Sequence, residues 1–214
     1  MIITCLGHAK FLLTLENGMK LVTDPFDPST GYPIHPLSVD AALVSHGHHD
    51  HSAVETLTAC GQVIRTAGKH TLATDVTVTA VPAFHDDAGG TRRGGTLLFL
   101  IEAEGLRVAH LGDLGHLLTE EQVRALGRVD VLMLPVGGFY TIDAAAAKQV
   151  CGQLKPVTVL PMHYRTKYNA DWPIAPVEEF TALFDAPAEH LKLLRVTAGD
   201  LKCQPPLAVL DAQV

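Results

Sequence analysis

The sequence predicts an α/β fold built from two mixed β-sheets with helices on both outer faces. Residues 10–15 and 19–23 are apolar-rich runs that flank Asn17-Gly18, a dipeptide typical of a β-hairpin turn. A second predicted hairpin spans residues 96–111, with its turn at Glu104-Gly105. The rest of the chain alternates apolar runs with helical segments, as chains with parallel strands do. Hairpins followed by such alternation indicate mixed sheets.

Helix signals follow the same order along the chain. Thr119 and Gln122 have capping-box spacing, which predicts a helix that begins there and ends near Gly127. Further helices are predicted over residues 52–60, 143–154 and 177–184. No internal repeat, low-complexity stretch or linker is evident, so we expect one domain over residues 1–214.

The stretch HGHHDH at residues 46–51 is the strongest functional signal. It places four potential metal ligands in six residues at the HxHxDH spacing, and imidazole and carboxylate are ligands that Zn²⁺ prefers. The apolar run 41–45 precedes it and the predicted helix 52–60 follows, so the ligands lie in a loop between rigid elements. The alternative is a polar surface turn, which would gain nothing from crowded histidines.

Three more apolar runs end at a ligand-type residue, at His85, Asp113 and His163. Sites in α/β folds form outside the carboxyl ends of strands, so these residues can reach the same edge as the HxHxDH loop. Seven ligands exceed the needs of one tetrahedral ion. The sequence therefore predicts two metals roughly 3.5–4 Å apart, bridged by a carboxylate and a water.

HxHxDH with these ordered downstream partners resembles the metallo-β-lactamase superfamily. Further motifs resemble its branch of small, stand-alone metal-dependent hydrolases similar to ascorbate-6-phosphate lactonase: LGHA at 6–9, TDP at 23–25, GDLGH at 112–116, LPVGG at 134–138 and PMHY at 161–164. The resemblance covers residues 6–168. It implies an αββα sandwich with the metals at one edge, and it also implies a phosphorylated substrate without identifying it.

Residue by residue, the resemblance implies a ligand set for each ion. His46, His48 and His85 would hold the first metal, Asp50, His51 and His163 the second, and Asp113 would bridge them. His110 is an alternative to His85, because it also lies near Asp113. Side chains alternate along a strand, so positions 110 and 113 point to opposite faces if the strand persists. We therefore expect His110 to be packed or to orient a ligand.

The ligand types favour two zinc ions, with manganese second, because histidine and aspartate are present and no thiolate is. A metal lowers the pKa of its bound water toward about 7, so hydroxide is the expected nucleophile. Asp50 is predicted to orient that nucleophile or accept its proton. His116, Tyr140 and Tyr164 are alternative proton donors to the leaving group, and a packing role for each is as plausible.

Two basic segments follow predicted ligands and could bind an anionic group of the substrate. One contains Arg92 and Arg93, and the other contains Tyr164, Arg165 and Lys167. A solvated run of charges is the alternative for both. His8 and Asp24 end apolar runs, which suggests either a ligand-orienting role or a strand-end hydrogen bond. His49, His35, His70 and His190 are expected on the surface.

Composition narrows the class of protein. The formal net charge of −7 argues against a binder of phosphate backbones, so we expect a small-molecule substrate and no nucleic-acid partner. The sequence shows no export signal and no apolar run long enough for a membrane span, and its four cysteines are scattered. These features predict a cytoplasmic enzyme with reduced thiols that hydrolyses a small ester, lactone or phosphodiester. A nuclease and a non-enzymatic metal-binding protein are the alternatives.

Overall fold

The computed structural model describes residues 1–214. In chain order its strands are β1 (Ile2–Cys5), β2 (Phe11–Thr14), β3 (Lys20–Thr23), β4 (Ser38–Leu43), β5 (Ala59–Ile64), β6 (Gly68–Ala73), β7 (Val76–Phe84), β8 (Gly95–Ala103), β9 (Leu106–His110), β10 (Val131–Pro135), β11 (Thr158–Met162), β12 (Glu189–Leu191), β13 (Leu194–Arg195) and β14 (Ala208–Leu210). The α-helices are α1 (His49–Ser52), α2 (Glu120–Leu126), α3 (Ala144–Leu154) and α4 (Glu178–Thr181). Short 3₁₀ helices cover Pro28–Thr30, Val54–Thr56 and Leu201–Cys203.

Two six-stranded sheets carry the fold. The first has the order β13-β1-β2-β3-β4-β5, antiparallel up to β3 and parallel from β3 to β5. The second has the order β11-β10-β9-β8-β7-β6, parallel from β11 to β9 and antiparallel beyond. Strands β12 and β14 form a small parallel pair. Both large sheets are mixed, which confirms the predicted fold class.

The predicted hairpins are confirmed. Strands β2 and β3 pair antiparallel around Gly18, whose φ of 86° suits the tight turn. Strands β8 and β9 pair antiparallel around Glu104-Gly105. As a result β7 and β9, which both pair antiparallel with β8, run in one direction. Their carboxyl ends therefore reach the same edge of the second sheet, together with that of β11.

Two helix predictions are confirmed by their caps. The Thr119 hydroxyl accepts a hydrogen bond from the Gln122 backbone N–H, and the Gln122 side chain accepts one from the Thr119 backbone N–H. Helix α2 therefore begins with a full capping box, and it ends before Gly127. Asp143 accepts from the Ala146 backbone at 2.8 Å and caps α3. Such a cap stabilises a helix by about 1 kcal/mol. Within residues 177–184 only α4 is α-helical.

The helix predicted over residues 52–60 is wrong. The chain makes one turn of α-helix in α1, a 3₁₀ turn over Val54–Thr56, and then enters β5 at Ala59. Strand β5 pairs parallel with β4 along most of its length, aligning Leu43 with Ile64. Pairing with a neighbouring strand thus outweighs the weak local helix propensity of this segment.

The main core fills the space between the two sheets. The first sheet contributes Phe11 and Leu13 and the second contributes Phe99 and Ile101, all essentially inaccessible to solvent. Truncating such a buried phenylalanine to alanine typically costs about 3–5 kcal/mol. The core thereby fixes how the two sheets stack, and with it the distance between the loops at their edges.

The helices lie mostly on one side of the sandwich. Residues of α2, α3 and α4 pack with β8, β9 and β10 in a second cluster on the outer face of the second sheet. The outer face of the first sheet has a small cluster of Val22, Val39, Ala42 and Leu57 under the 3₁₀ turn Val54–Thr56. No helix combines the length and the hydrophobicity that a membrane-spanning segment needs.

Candidate metal centre

Loops at the ends of β4, β7, β9 and β11 bring the seven predicted ligands together. His46 and His48 follow β4, and Asp50 and His51 lie in the single turn of α1. The other three ligands follow β7, β9 and β11 directly or within three residues. The ligand atoms form three groups, and within each group all of them lie within 4.8 Å of one another. The groups are His46, His48 and His85; His46, His51 and Asp113; and His8, Asp50, His51 and His163.

Asp113 occupies the centre of this cluster. Its Oδ2 atom lies 3.0 Å from Nε2 of His85, 3.4 Å from Nε2 of His163 and 3.8 Å from Nε2 of His46. Its Oδ1 atom lies 3.2 Å from Nε2 of His51. One carboxylate thus faces histidines from both predicted ligand sets, which is the geometry that a bridging ligand requires.

Asp24 and Ser45 set the orientation of two of the histidines. His51 Nδ1 donates to Asp24 Oδ2 at 2.8 Å, so His51 Nε2 is the atom left facing the cluster. The Ser45 hydroxyl donates to the same Asp24 oxygen at 2.7 Å and lies 2.9 Å from His46 Nδ1. Ser45 then accepts from that nitrogen, and His46 Nε2 keeps its lone pair. A buried carboxylate behind a ligating histidine is a recurring device of metal sites.

Burial and charge set the protonation of His46, His8 and Asp50. Burial, reinforced by the charge of His51, lowers the pKa of His46 to about 3. Burial and the charge of His163 likewise lower the pKa of His8 to about 4. Burial opposes ionisation of Asp50, but the hydrogen bond from His8 and the charge of His51 outweigh it and hold its pKa well below the ordinary value. Neutral imidazole and ionised carboxylate are the forms that bind metals.

Positive charge is stabilised at the middle of the cluster. Burial would raise the pKa of Asp113, but the charges of His163 and His51 outweigh it and hold the pKa well below its usual value. Burial would lower the pKa of His51, but Asp113 and Asp24 outweigh it and raise that pKa well above its usual value. These carboxylates therefore stabilise a proton at His51 Nε2. A divalent cation bound at the same place would supply that positive charge instead.

The backbone at the cluster is strained. His8, Asp24 and His163 have φ values of 53°, 38° and 53°, and they account for half of the six non-glycine residues with positive φ. Such conformations cost about 1–3 kcal/mol each and persist where surrounding structure enforces them. Gly115 is also required, because a Cβ there would overlap the backbone of His85 and Asp86. The loops are thus packed to hold their side chains in one arrangement.

The donor set fits divalent metal ions. It consists of imidazole and carboxylate groups alone, its nitrogen atoms face one another at contact distance, and His46 Nε2 lies 3.0 Å from His48 Nδ1. Asp113 Oδ1 has no hydrogen-bond partner although it is buried. Buried lone pairs that converge without donors are stabilised by a cation. Two of the three groups have no residue in common, His46-His48-His85 and His8-Asp50-His51-His163, and Asp113 contacts histidines of both.

The structure brings His85 rather than His110 into the cluster. His110 lies in the core at the end of β9, where its Nε2 contacts the Ala9 carbonyl oxygen at 2.9 Å and its Nδ1 accepts from the Gly112 backbone. It therefore has the packed position expected for it. His49 and His190 are exposed, as is His35, and His70 is partly exposed.

His8 is the residue whose position the sequence did not settle. Its Nε2 lies 3.2 Å from His51 Nε2 and 3.3 Å from Asp50 Oδ2, so it belongs to the second ligand group. Its ring packs at a tilt against His163, with ring centroids 4.2 Å apart, and makes an edge contact with Trp172. The LGHA motif was the signal in the sequence that pointed to His8. Local sequence does not show which loop this motif packs against, so it could not place His8 beside Asp50.

Phenylalanine at position 8 is expected to weaken metal binding about tenfold to a hundredfold, the range typical of residues that support a ligand. The substitution keeps the ring packing against His163 and removes the nitrogen that faces Asp50. Competition with a chromophoric chelator measures the affinity. His190→Phe, an exposed histidine outside the cluster, serves as the control. Wild-type metal affinity in a folded His8→Phe variant would show that His8 only packs.

A cleft of about 330 Å³ opens onto the cluster. Its walls are formed by His48, His49, Asp50, His85, Arg93, Asp113, Tyr140, His163 and Trp172. Tyr140 is the one predicted proton donor that lines this cleft. His116 lies in a neighbouring cavity, and both of its ring nitrogens contact backbone groups, of Phe84 and Leu117.

The predicted substrate-binding residues lie outside the cleft. Arg92 points to Asp87, with 3.0 Å between the guanidinium and the carboxylate. Tyr164 and Lys167 line a separate cavity of about 350 Å³, which His8 and His163 also border. Arg165 is exposed beside them. A role for these four in substrate binding stays a prediction, and Arg93 is the basic residue that the structure places in the cleft.

Comparison with known proteins places the chain in a family. Residues 2–163 match the model of the β-lactamase superfamily domain. The chain belongs to the metallo-β-lactamase superfamily. A metal-dependent hydrolase of Archaeoglobus fulgidus, in the group named UPF0173, is 34% identical over 77% of this chain and 83% of its own. Another, from Pelotomaculum thermopropionicum, is 31% identical over 90% and 96%.

A solved structure agrees along almost the whole length. A Thermotoga maritima protein, described as a candidate zinc-dependent hydrolase of the metallo-β-lactamase superfamily, is 37% identical, covers 98% of this chain with 97% of its own, and superposes with a TM-score of 0.78. These relatives confirm the resemblance drawn from the motifs. This superfamily member is thus a metal-dependent hydrolase.

Proposed function

We propose that this chain is a binuclear, zinc-using hydrolase of a small anionic ester, lactone or phosphodiester. The observation that carries the proposal is the presence of two ligand groups without a common residue, His46-His48-His85 and His8-Asp50-His51-His163, with Asp113 in contact with histidines of both. The histidine and aspartate donors support zinc first and manganese second, and the Thermotoga maritima relative is described as a candidate zinc-dependent hydrolase.

When bound, such ions supply an activated water and polarise the bond to be cleaved. The chain's own residues position the reaction. The ionised Asp50 carboxylate lines the cleft and accepts a hydrogen bond from His8, which holds it in place. From there it can accept a hydrogen bond from the attacking water and so direct it. Tyr140 lines the same cleft, where its hydroxyl can donate a proton to the leaving oxygen. Asp24 and Ser45 hold His51 and His46 in the required orientation.

A small-molecule substrate is supported by the size and charge of the cleft. A volume of about 330 Å³ suits a compact ligand. Arg93 is the one lysine or arginine on its walls, whereas a nuclease needs several cations along a phosphate backbone. The net charge of −7 points the same way.

A substrate screen on purified protein tests the proposal. We expect turnover of at least one class among 4-nitrophenyl esters, lactones, thioesters and bis(4-nitrophenyl) phosphate. Dialysis against a chelator should abolish it, and Zn²⁺ or Mn²⁺ should restore it. Cleavage of RNA or DNA without turnover of any small substrate would favour the nuclease alternative. No turnover of any substrate by metal-loaded protein would favour a binding protein.

A further inference from the structure

Arg93 is an uncompensated positive charge in the wall of the cleft. Its guanidinium forms no ion pair with any carboxylate, whereas the neighbouring Arg92 pairs with Asp87. The Arg93 guanidinium carbon lies 5.7 Å from the centre of the Tyr140 ring. Because a partly buried cation without a partner is costly, a charged side chain held this way is suited to an anionic ligand.

The loop that carries Arg93 is fixed by a buried carboxylate. Asp86 accepts four backbone N–H groups, from Ala88 and Gly90 through Oδ1 and from Arg92 and Arg93 through Oδ2, at 2.8–2.9 Å. Burial opposes ionisation of Asp86, but these bonds outweigh it and lower its pKa to about 2. The loop is therefore ordered before any ligand arrives, and it begins next to the predicted ligand His85.

Two aromatic side chains complete this part of the cleft. The rings of Tyr140 and Trp172 lie 6.3 Å apart at 78° to each other. Trp172 also contacts His163, with ring centroids 6.5 Å apart, so the aromatic surface extends from Arg93 to the metal ligands. The two rings pack edge to face on each other, and the aromatic surface that they present to the cleft favours contact with a flat, unsaturated group over a flexible aliphatic chain.

We propose that Arg93, Tyr140 and Trp172 select substrates in which a flat, unsaturated ring carries an anionic group, with the anion at Arg93 and the scissile bond beside Asp113. Binding of the anionic ring follows from the cleft alone, and only the placement of the scissile bond rests on the proposed hydrolase function. Arg93, and not Arg165 or Lys167, is then the residue that recognises the anion.

The chain offers a direct reporter for this cleft, because Trp172 is its single tryptophan. We would titrate metal-loaded protein with terephthalate and with benzoate and follow Trp172 fluorescence. One carboxylate of either probe can reach the metals, but only terephthalate has a second one for Arg93. We expect wild-type protein to bind terephthalate more tightly than benzoate.

Arg93→Gln should weaken terephthalate binding about tenfold to a hundredfold, the effect of losing a charge-assisted contact. It should leave benzoate binding unchanged. Arg92→Gln is the matched control and should affect neither probe, since Arg92 faces Asp87. Tyr140→Leu should weaken both probes, because both carry the ring. Arg93→Lys keeps the positive charge, so it separates loss of that charge from a folding defect caused by substitution at this position. It should retain a preference for terephthalate.

Equal affinity of the wild type for both probes would overturn the proposal. So would an equal loss of affinity for terephthalate and benzoate in Arg93→Gln, or a loss of affinity in Arg92→Gln as large as that in Arg93→Gln. Fluorescence titration needs no turnover, so it separates the two proposals. If terephthalate binding depends on Arg93 while every ester remains intact, the proposed hydrolysis fails and the recognition site stands. If esters are hydrolysed equally with and without an anionic ring, only the recognition site fails.

Discussion

Asparagine at position 113 is expected to leave a folded protein whose hydrolysis is reduced at least about a hundredfold. Asp113 faces His85, His163 and His51 with both of its oxygens, at 3.0–3.4 Å. An amide keeps the shape of the side chain but loses the negative charge, and one of its two ends becomes a donor. It can no longer bridge two cations.

The measurement is turnover per folded molecule, with thermal unfolding and circular dichroism to establish the fold of the variant. Asp87→Asn is the matched control, because Asp87 is an exposed carboxylate close to the His85 loop that pairs with Arg92. It should retain wild-type turnover. Full activity in a folded Asp113→Asn variant would show that the bridge is misassigned.

Purified protein is expected to carry close to two divalent metals per chain, as seven protein ligands require. His46→Ala and His163→Ala should each reduce the content toward one, since they remove ligands from opposite groups. His46 belongs with His48 and His85, whereas His163 belongs with Asp50 and its neighbours.

Elemental analysis of protein prepared without chelator measures this content. His49→Ala is the control, because His49 lies within the HxHxDH motif but is exposed and contacts Asp27 and Ser29. Its metal content should equal that of the wild type. A firm value of one metal or none in wild-type protein would remove the binuclear proposal.

The sequence by itself determined those features that depend on neighbours along the chain. The HxHxDH spacing, the hairpin at Asn17-Gly18 and the cap at Thr119 are local patterns, and each appears in the structure where it was predicted. The convergence of His85, Asp113 and His163 could also be predicted, because the direction of a strand fixes which edge its carboxyl end reaches.

The wrong helix prediction for residues 52–60 shows that local sequence patterns do not predict secondary structure that depends on distant strand pairing. Residues 52–60 are compatible with a helix on propensity alone, yet β4 offers a free edge that residues from Ala59 onward pair with. Hydrogen bonds to a strand distant in sequence decide the outcome, and no window of local sequence contains them.

Only the tertiary structure decided which polar side chains face the cluster. His8 and His110 both follow apolar residues near a strand end, yet His8 reaches Asp50 while His110 contacts Ala9 in the core. Arg92 and Arg93 are adjacent in sequence, and the turn fixed by Asp86 sends one to Asp87 and the other into the cleft. Sequence sets the type of each group, but its direction depends on the packing of loops from different strands, and the function of this site depends on that direction.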